Sequence, residues 1–226
     1  MKKQFLKLIS GIALSCLSVS SMAALLDLTD NSTLGALSGS GSSYTGTIDG
    51  IGFSLISTGG SINFNESYDG SLSTGCGILK CEKDGVGVGN DEVSSTTSVA
   101  QQLTLTFDSV VKISGLYFLD LYDGTSVQKG TEQSTITFDG VTVKKVDGVE
   151  TSGQGGYAAL SMSPIFAKTL VFSGDVSSAF WDDTNNDYAL AGVDVSAVPV
   201  PAAAFLFAPA LLGFMGLRRK AKNSIA

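Results

Sequence analysis

The chain has 226 residues, of which 14 are Lys or Arg, 21 are Asp or Glu and none is His. Without imidazole there is no Ser-His-Asp or Cys-His catalytic site, and no zinc or copper centre with histidine ligands. Lys2, Lys3 and Lys7 stand at one end and Arg218, Arg219, Lys220 and Lys222 at the other, so residues 24–198 hold seven lysines, no arginine and all 21 acids, a net −14 (7 − 21). Such a body repels nucleic acid and anionic lipid. It also lacks the guanidinium fork that grips phosphate.

In chain order, the first element is a secretory signal peptide over residues 1–23. Lys2, Lys3 and Lys7 form its basic start, Leu8 to Leu17 its apolar stretch, and Ser21 and Ala23 the small residues at −3 and −1. Signal peptidase would cut after Ala23. Ten apolar residues span only ~15 Å as a helix, too short to cross a bilayer. Cys16 follows Ala13-Leu14-Ser15, a poor lipoprotein box, and reads as an ordinary cysteine removed with the signal.

Residues 24–197 are long enough to bury one core. Gly, Ser and Asp clusters interrupt short runs of alternating character. Strands are expected at Ile51–Ile56, Ser61–Phe64, Leu103–Phe107, Val111–Tyr122, Thr135–Phe138, Val141–Val143, Leu170–Phe172 and Tyr188–Val195, with Gly115 as a bend or bulge. Asp139-Gly140 is a two-residue hairpin turn. No helix of useful length is expected between the terminal signals. The predicted fold is all-β: a single β-sandwich of jelly-roll type, with eight to eleven short strands.

Tyr68 to Ala100 reads as a long loop. It carries Cys76 and Cys81, the only cysteines left after signal removal. With four residues between them in an oxidising compartment, they are expected to form a local disulfide. A redox pair favours two intervening residues at a helix N-terminus, and neither is present. Asn90, Asp91 and Glu92 are hard oxygen donors on a glycine-rich turn, and Asp182, Asp183 and Asp187 form a second oxygen-rich cluster. Both suit Ca²⁺, although neither has EF-hand spacing. A solvated turn explains the same residues equally well. Trp181, the single tryptophan, could stack on a sugar ring or sit in the core. Tyr117, Phe118 and Tyr122 read as packing residues on alternating strand faces. Nothing in the sequence requires a cofactor, and structural Ca²⁺ is the one candidate.

The last element, residues 198–226, opens with Val198-Pro199-Val200-Pro201-Ala202. The prolines hold the chain extended. The apolar run from Ala202 to Leu217 would be ~24 Å as a helix, short of the ~30 Å hydrocarbon core unless the bilayer thins and the arginines snorkel. Arg218, Arg219 and Lys220 follow as a basic stop that keeps the C-terminus cytoplasmic.

This tail resembles the PEP-CTERM class of sorting signals in its Val-Pro-x-Pro-Ala form. Phe205-Leu206-Phe207, Leu211-Leu212-Gly213 and the basic end match the remainder of that pattern. It departs from the commonest form in lacking Glu between the prolines, which leaves the cleaved bond open. The resemblance implies processing by an exosortase-like membrane transpeptidase in a Gram-negative bacterium that makes exopolysaccharide. It also implies passage through the inner membrane to the cell surface or extracellular matrix. The Gly-Val-Gly-Val-Gly turn at residues 85–89, its acids and the strand ending at Phe107 are similar to an element of exosortase-sorted ectodomains. The function expected is that of a non-catalytic surface or matrix protein associated with envelope or exopolysaccharide. The alternatives are a calcium-dependent carbohydrate-binding module and a carboxylate-based glycoside hydrolase using Asp182, Asp183 and Asp187 beside Trp181.

Overall fold

The computed structural model describes residues 23–73, 75–89, 92–94, 100–123, 131–149, 153–174 and 187–199. Their regular structure is almost wholly β. The strands are β1 (Ala23–Asp27), β2 (Ser38–Ser40), β3 (Ser43–Ile48), β4 (Ile51–Thr58), β5 (Ile62–Asn63), β6 (Gly87–Val88), β7 (Gln102–Leu119), β8 (Gln133–Phe138), β9 (Thr142–Asp147), β10 (Ala158–Gly174) and β11 (Ala189–Ala197). One short helix, α1 (Asn31–Gly35), is capped by Asp30, whose carboxylate accepts the Ser32 N–H at 2.7 Å. Among the described residues no helix is long and apolar enough to cross a membrane. Residues 1–22 of the predicted signal peptide and the Ala202–Leu217 segment lie outside the described residues, while Ala23, its last expected residue, opens β1.

The main sheet runs β2-β3-β4-β7-β10-β8-β9, with β11 and then β1 attached beside β7. Every pairing is antiparallel, as hairpins and short connections allow. β7 is one strand where the sequence suggested two runs. Its first part pairs with β4, its second with β11, and β10 follows it along both. Between Thr106 and Val111 four residues of β7 face the single Lys168 of β10. Asp108, Ser109 and Val110 are all exposed there.

This is a corner. Leu103 and Phe118 are fifteen positions apart on β7 and lie opposite Phe172 and Ala158 of β10. A straight strand would separate them by about 50 Å. Yet the rings of Phe118 and Phe172 are 6.3 Å apart. The sheet therefore folds back on itself, and the inner faces of both halves share one core.

Alternation builds that core. Leu103, Leu105 and Phe107 point inward, while Thr104 and Thr106 are half-exposed between them. Each fully buried Leu or Phe contributes about 1.5–3 kcal/mol relative to exposure. Beyond the corner, Val111 and Ile113 keep the same parity, but Leu116 and Phe118 reach the same core on the opposite parity. The switch occurs at Ser114, which is skipped in the register against β11: Asp194 faces Gly115 and Val195 faces Ile113. The bulge falls beside Gly115, and it turns the strand over by one residue. Pro164 lies in the matching irregularity of β10, between Ser161 and Ile165, where an absent N–H removes no ladder bond.

The Asp139-Gly140 turn has positive φ at both residues, 48° and 72°, and closes with Val141 N–H donating to the Phe138 carbonyl at 3.0 Å. Thr142, rather than Val141, pairs with Phe138, so Val141 sits outside the ladder. The Asp139 carboxylate does further work at the corner. Its Oδ1 accepts the N–H of Lys168 at 3.0 Å and of Thr169 at 2.8 Å, satisfying the donors of the interrupted β10 ladder.

Several elements differ from expectation. β1, β2, β3 and the first half of β10 have no counterpart in the expected strands. Ser61–Phe64 shrinks to Ile62–Asn63, and Tyr188–Val195 becomes Ala189–Ala197. The segment Tyr68–Ala100 is not wholly loop, since Gly87–Val88 pairs with Ile62–Asn63. Tyr122 lies beyond the strand and is 37% exposed, so it is not a packing residue.

Candidate functional site

The second half of β7 is buried on both faces. Leu116 and Phe118 face the main core; Tyr117 and Leu119 face a smaller cluster with Cys76, Leu79, Cys81, Ala189 and Ala191. The covering layer is the segment after β5. Cys76 and Cys81 are joined in a disulfide, with Cα atoms 6.4 Å apart. Polar contacts to the β1–α1 connection seat it. Lys80 N–H donates to Asp27 Oδ2 at 2.9 Å, Cys81 N–H to Thr29 Oγ1 at 2.9 Å, and Glu82 and Lys83 N–H to the Thr29 carbonyl. Tyr117 donates its hydroxyl to Asp194 Oδ2 at 2.7 Å. Burial, then that Asp194 bond, holds the phenol protonated far above its usual range.

At the margin of this layer three carboxyls converge from distant positions. Asp69 and Asp84 come from the covering segment and Asp120 from just beyond β7, with one oxygen of each within 4.8 Å of the others. Asp69 is exposed, whereas Asp84 and Asp120 are only 2% and 6% exposed. Asp84 Oδ1 accepts the Asp69 N–H at 3.0 Å. Asp120 takes φ +54°, and its N–H donates to the Gly155 carbonyl at 2.9 Å. Gly156 lets this backbone approach: a Cβ there would lie 2.6 Å from the Leu121 nitrogen. Tyr68 and Tyr122 stand beside the group. Burial raises both phenols, and the negative charges of Asp84 and Asp120 raise them further. Oxygen-only donors in this number suit a hard cation such as Ca²⁺, with water or backbone carbonyls completing its shell.

A second acidic group lies nearby. Glu132 is 4% exposed, and its Oε2 accepts the Tyr122 N–H at 2.6 Å. Its carboxyl is pushed up to about 9, first by burial and then by the charge and hydrogen bond of Asp187, with Glu92 adding further repulsion and the Tyr122 N–H opposing. Burial and the neighbouring Asp187 carboxyl both favour the protonated form of Glu132. Backbone contacts bring Glu92 and Asp187 together, since Val93 N–H donates to the Tyr188 carbonyl at 2.7 Å.

Thus Glu92 and Asp187, which belong to two separate clusters in the sequence, meet around Glu132. Asn90, Asp91, Trp181, Asp182 and Asp183 lie outside the described residues, as do Val200, Pro201, Ala202, Arg218, Arg219 and Lys220. Val198 and Pro199 follow β11 without regular structure. Asp69, Asp84, Asp120 and Glu132 were not singled out by sequence. Asp120 carried a signal, being an acid between Leu119 and Leu121 in an apolar run. Glu132 sits in a polar stretch and carried none. No protein-family model matches the chain, and no curated protein matches its sequence.

Proposed function

We propose that the chain is an exported, non-catalytic surface or matrix protein. Signal peptidase removes residues 1–23, residues 24–197 fold as a jelly-roll-like β-sandwich, and an exosortase-like transpeptidase processes residues 198–226. The Ala202–Leu217 segment holds the intermediate in the inner membrane, and the product is delivered to the cell surface or exopolysaccharide. The observation that carries this reading is the pairing of the first and last strands. β1 begins at Ala23, β11 ends at Ala197, and Ala23 faces Ser196. The cut after Ala23 removes only the first residue of β1, and the 198–202 region follows the last residue of β11, so removal of the flanks leaves the core residues from Ala24 to Val195 in place. The folding-back of β7 and β10 supports the sandwich. The test is the intact mass of the protein from membrane and extracellular fractions of its host. Loss of residues 1–23 and of everything after the 198–202 region is expected. A tail retained in every fraction would overturn the sorting reading and leave a simple anchored domain.

A second reading, a calcium-dependent carbohydrate-binding module, is favoured by the convergence of Asp69, Asp84 and Asp120 beside Tyr68 and Tyr122. Retention on immobilised exopolysaccharide that EDTA abolishes, without new reducing ends, would support it. New reducing ends would instead indicate a glycoside hydrolase; the burial of Asp84 and Asp120 speaks against those two carboxyls reaching a polymer.

A further inference from the structure

We propose that residues 75–86 form a strap whose closure over β7 and β11 depends on the redox state of Cys76 and Cys81, while the main sheet does not. The apolar groups divide cleanly. The large cluster, from Leu26 and Leu55 to Phe172 and Val195, contains no cysteine. The small cluster contains both, together with Leu79, Tyr117, Leu119, Ala189 and Ala191.

The strap is held unevenly along its length. Its later part is tied to the body through Lys80, Cys81, Glu82, Lys83 and Val86, whose N–H groups donate to Asp27, Thr29 and Leu190. The bonds described for its earlier part are local: Gly75 N–H to the Ser71 carbonyl, Leu79 N–H to the Cys76 carbonyl, and the Tyr68 hydroxyl to the Gly75 carbonyl. Ile78 is 61% exposed, and Gly75, Gly77 and Cys81 all have positive φ. That conformation is unfavourable for a cysteine, and here the crosslink and the bond from the Cys81 N–H to Thr29 hold it.

The opening step is thiol–disulfide exchange with a dithiol. Its thiolate attacks one Sγ, the Cys76–Cys81 bond breaks, the second thiol of the reductant completes a new disulfide, and two cysteine thiols remain. Two electrons and two protons pass from the dithiol to the protein. Oxidation during export runs the step in reverse and seats Asp84 beside Asp120. The strap stands on this geometry whether or not the tail is sorted.

Limited trypsin digestion of the full-length protein in mild detergent, with and without dithiothreitol, tests the strap. Each sample is alkylated and its peptides are read by mass under reducing conditions. Reduction should speed cleavage after Lys80 about 40-fold, the loop-closure entropy of a six-residue ring. The bonds after Lys112, Lys144, Lys145 and Lys168, which lie in strands or at the corner, should remain uncut. Unchanged cleavage after Lys80 once both thiols are shown by alkylation to be free would overturn the proposal. So would cleavage after all these lysines at one rate. The Cys76→Ser/Cys81→Ser variant should behave as the reduced protein without reductant; if it fails to fold, the disulfide is a global requirement and the proposal is wrong.

Discussion

Replacing Glu132 with Gln should remove a definite pH dependence from the stability of the folded domain. The carboxyl is 4% exposed and hydrogen-bonded to Asp187, and burial first pushes it up to about 9 against an ordinary 4.5. Below 4.5 both folded and unfolded chains hold the proton, and the group contributes no slope. Between 4.5 and about 9 the unfolded chain has lost the proton and the folded chain has not. Stability therefore falls as pH rises through that window, by up to about 1.4 kcal/mol per unit, and levels off above it. For a domain of this size that is roughly 3–5 °C in Tm per pH unit. Gln keeps the shape of the protonated acid, accepts the Tyr122 N–H and donates to Asp187, but does not ionise. Thermal unfolding by circular dichroism from pH 5 to pH 8, with EDTA throughout, measures both proteins. The difference in Tm should grow with pH in favour of Glu132→Gln. Parallel curves, or a variant less stable than the parent at pH 8, would refute a buried Glu132 that stays protonated in the folded chain.

Three further perturbations test other parts of the structure. Phe118→Ala should cost about 3–5 kcal/mol in guanidinium unfolding, because the ring is fully buried against Phe172 and Tyr188; a loss below 1 kcal/mol would mean that the two halves of the sheet do not share a core. Asp139→Ala should cost about 1–2 kcal/mol by leaving the Lys168 and Thr169 amides at the corner without their acceptor, and Asp139→Asn should recover part of it; equal stability of all three proteins would argue against the cap. If Asp69, Asp84 and Asp120 hold calcium, Ca²⁺ at a hundred times its Kd should stabilise the protein by about 2.7 kcal/mol, and Asp84→Asn should abolish the shift; no rise in Tm at millimolar Ca²⁺ would remove that site.

Strand character was legible where side chains alternate. Leu103–Phe107 and Thr135–Phe138 bury one face, so period two is written in their residues. The bulge at Gly115 was legible because glycine admits a close neighbour, here the Asp194 carboxylate, and the Asp139-Gly140 turn because both residues take positive φ. β3, with four of its six residues Ser, Thr or Gly, and β2, Ser-Gly-Ser, were illegible as strands. β2 is the edge strand and β3 the next one in, and neither has a buried residue for a hydrophobic pattern to mark. The first half of β10 was hidden in another way. Ala158-Ala159-Leu160 favours helix, a preference that pairing along β7 overrides, and Pro164 argues against a strand but falls in the unpaired irregularity between Ser161 and Ile165.

The acidic groups show the same division more sharply. Sequence alone determined that this body is β-rich and strongly acidic, that it has no histidine chemistry, and that charged, apolar and proline-marked segments flank it. Those properties depend on composition and short-range order. Only the tertiary structure decided that Asp69, Asp84 and Asp120 meet, that Glu92 and Asp187 converge on Glu132, and that one disulfide covers a second buried cluster. Each grouping joins residues tens of positions apart. The pairing is set by the corner and the one-residue bulge in β7, and a shift of a single residue there would carry every side chain beyond it to the other face.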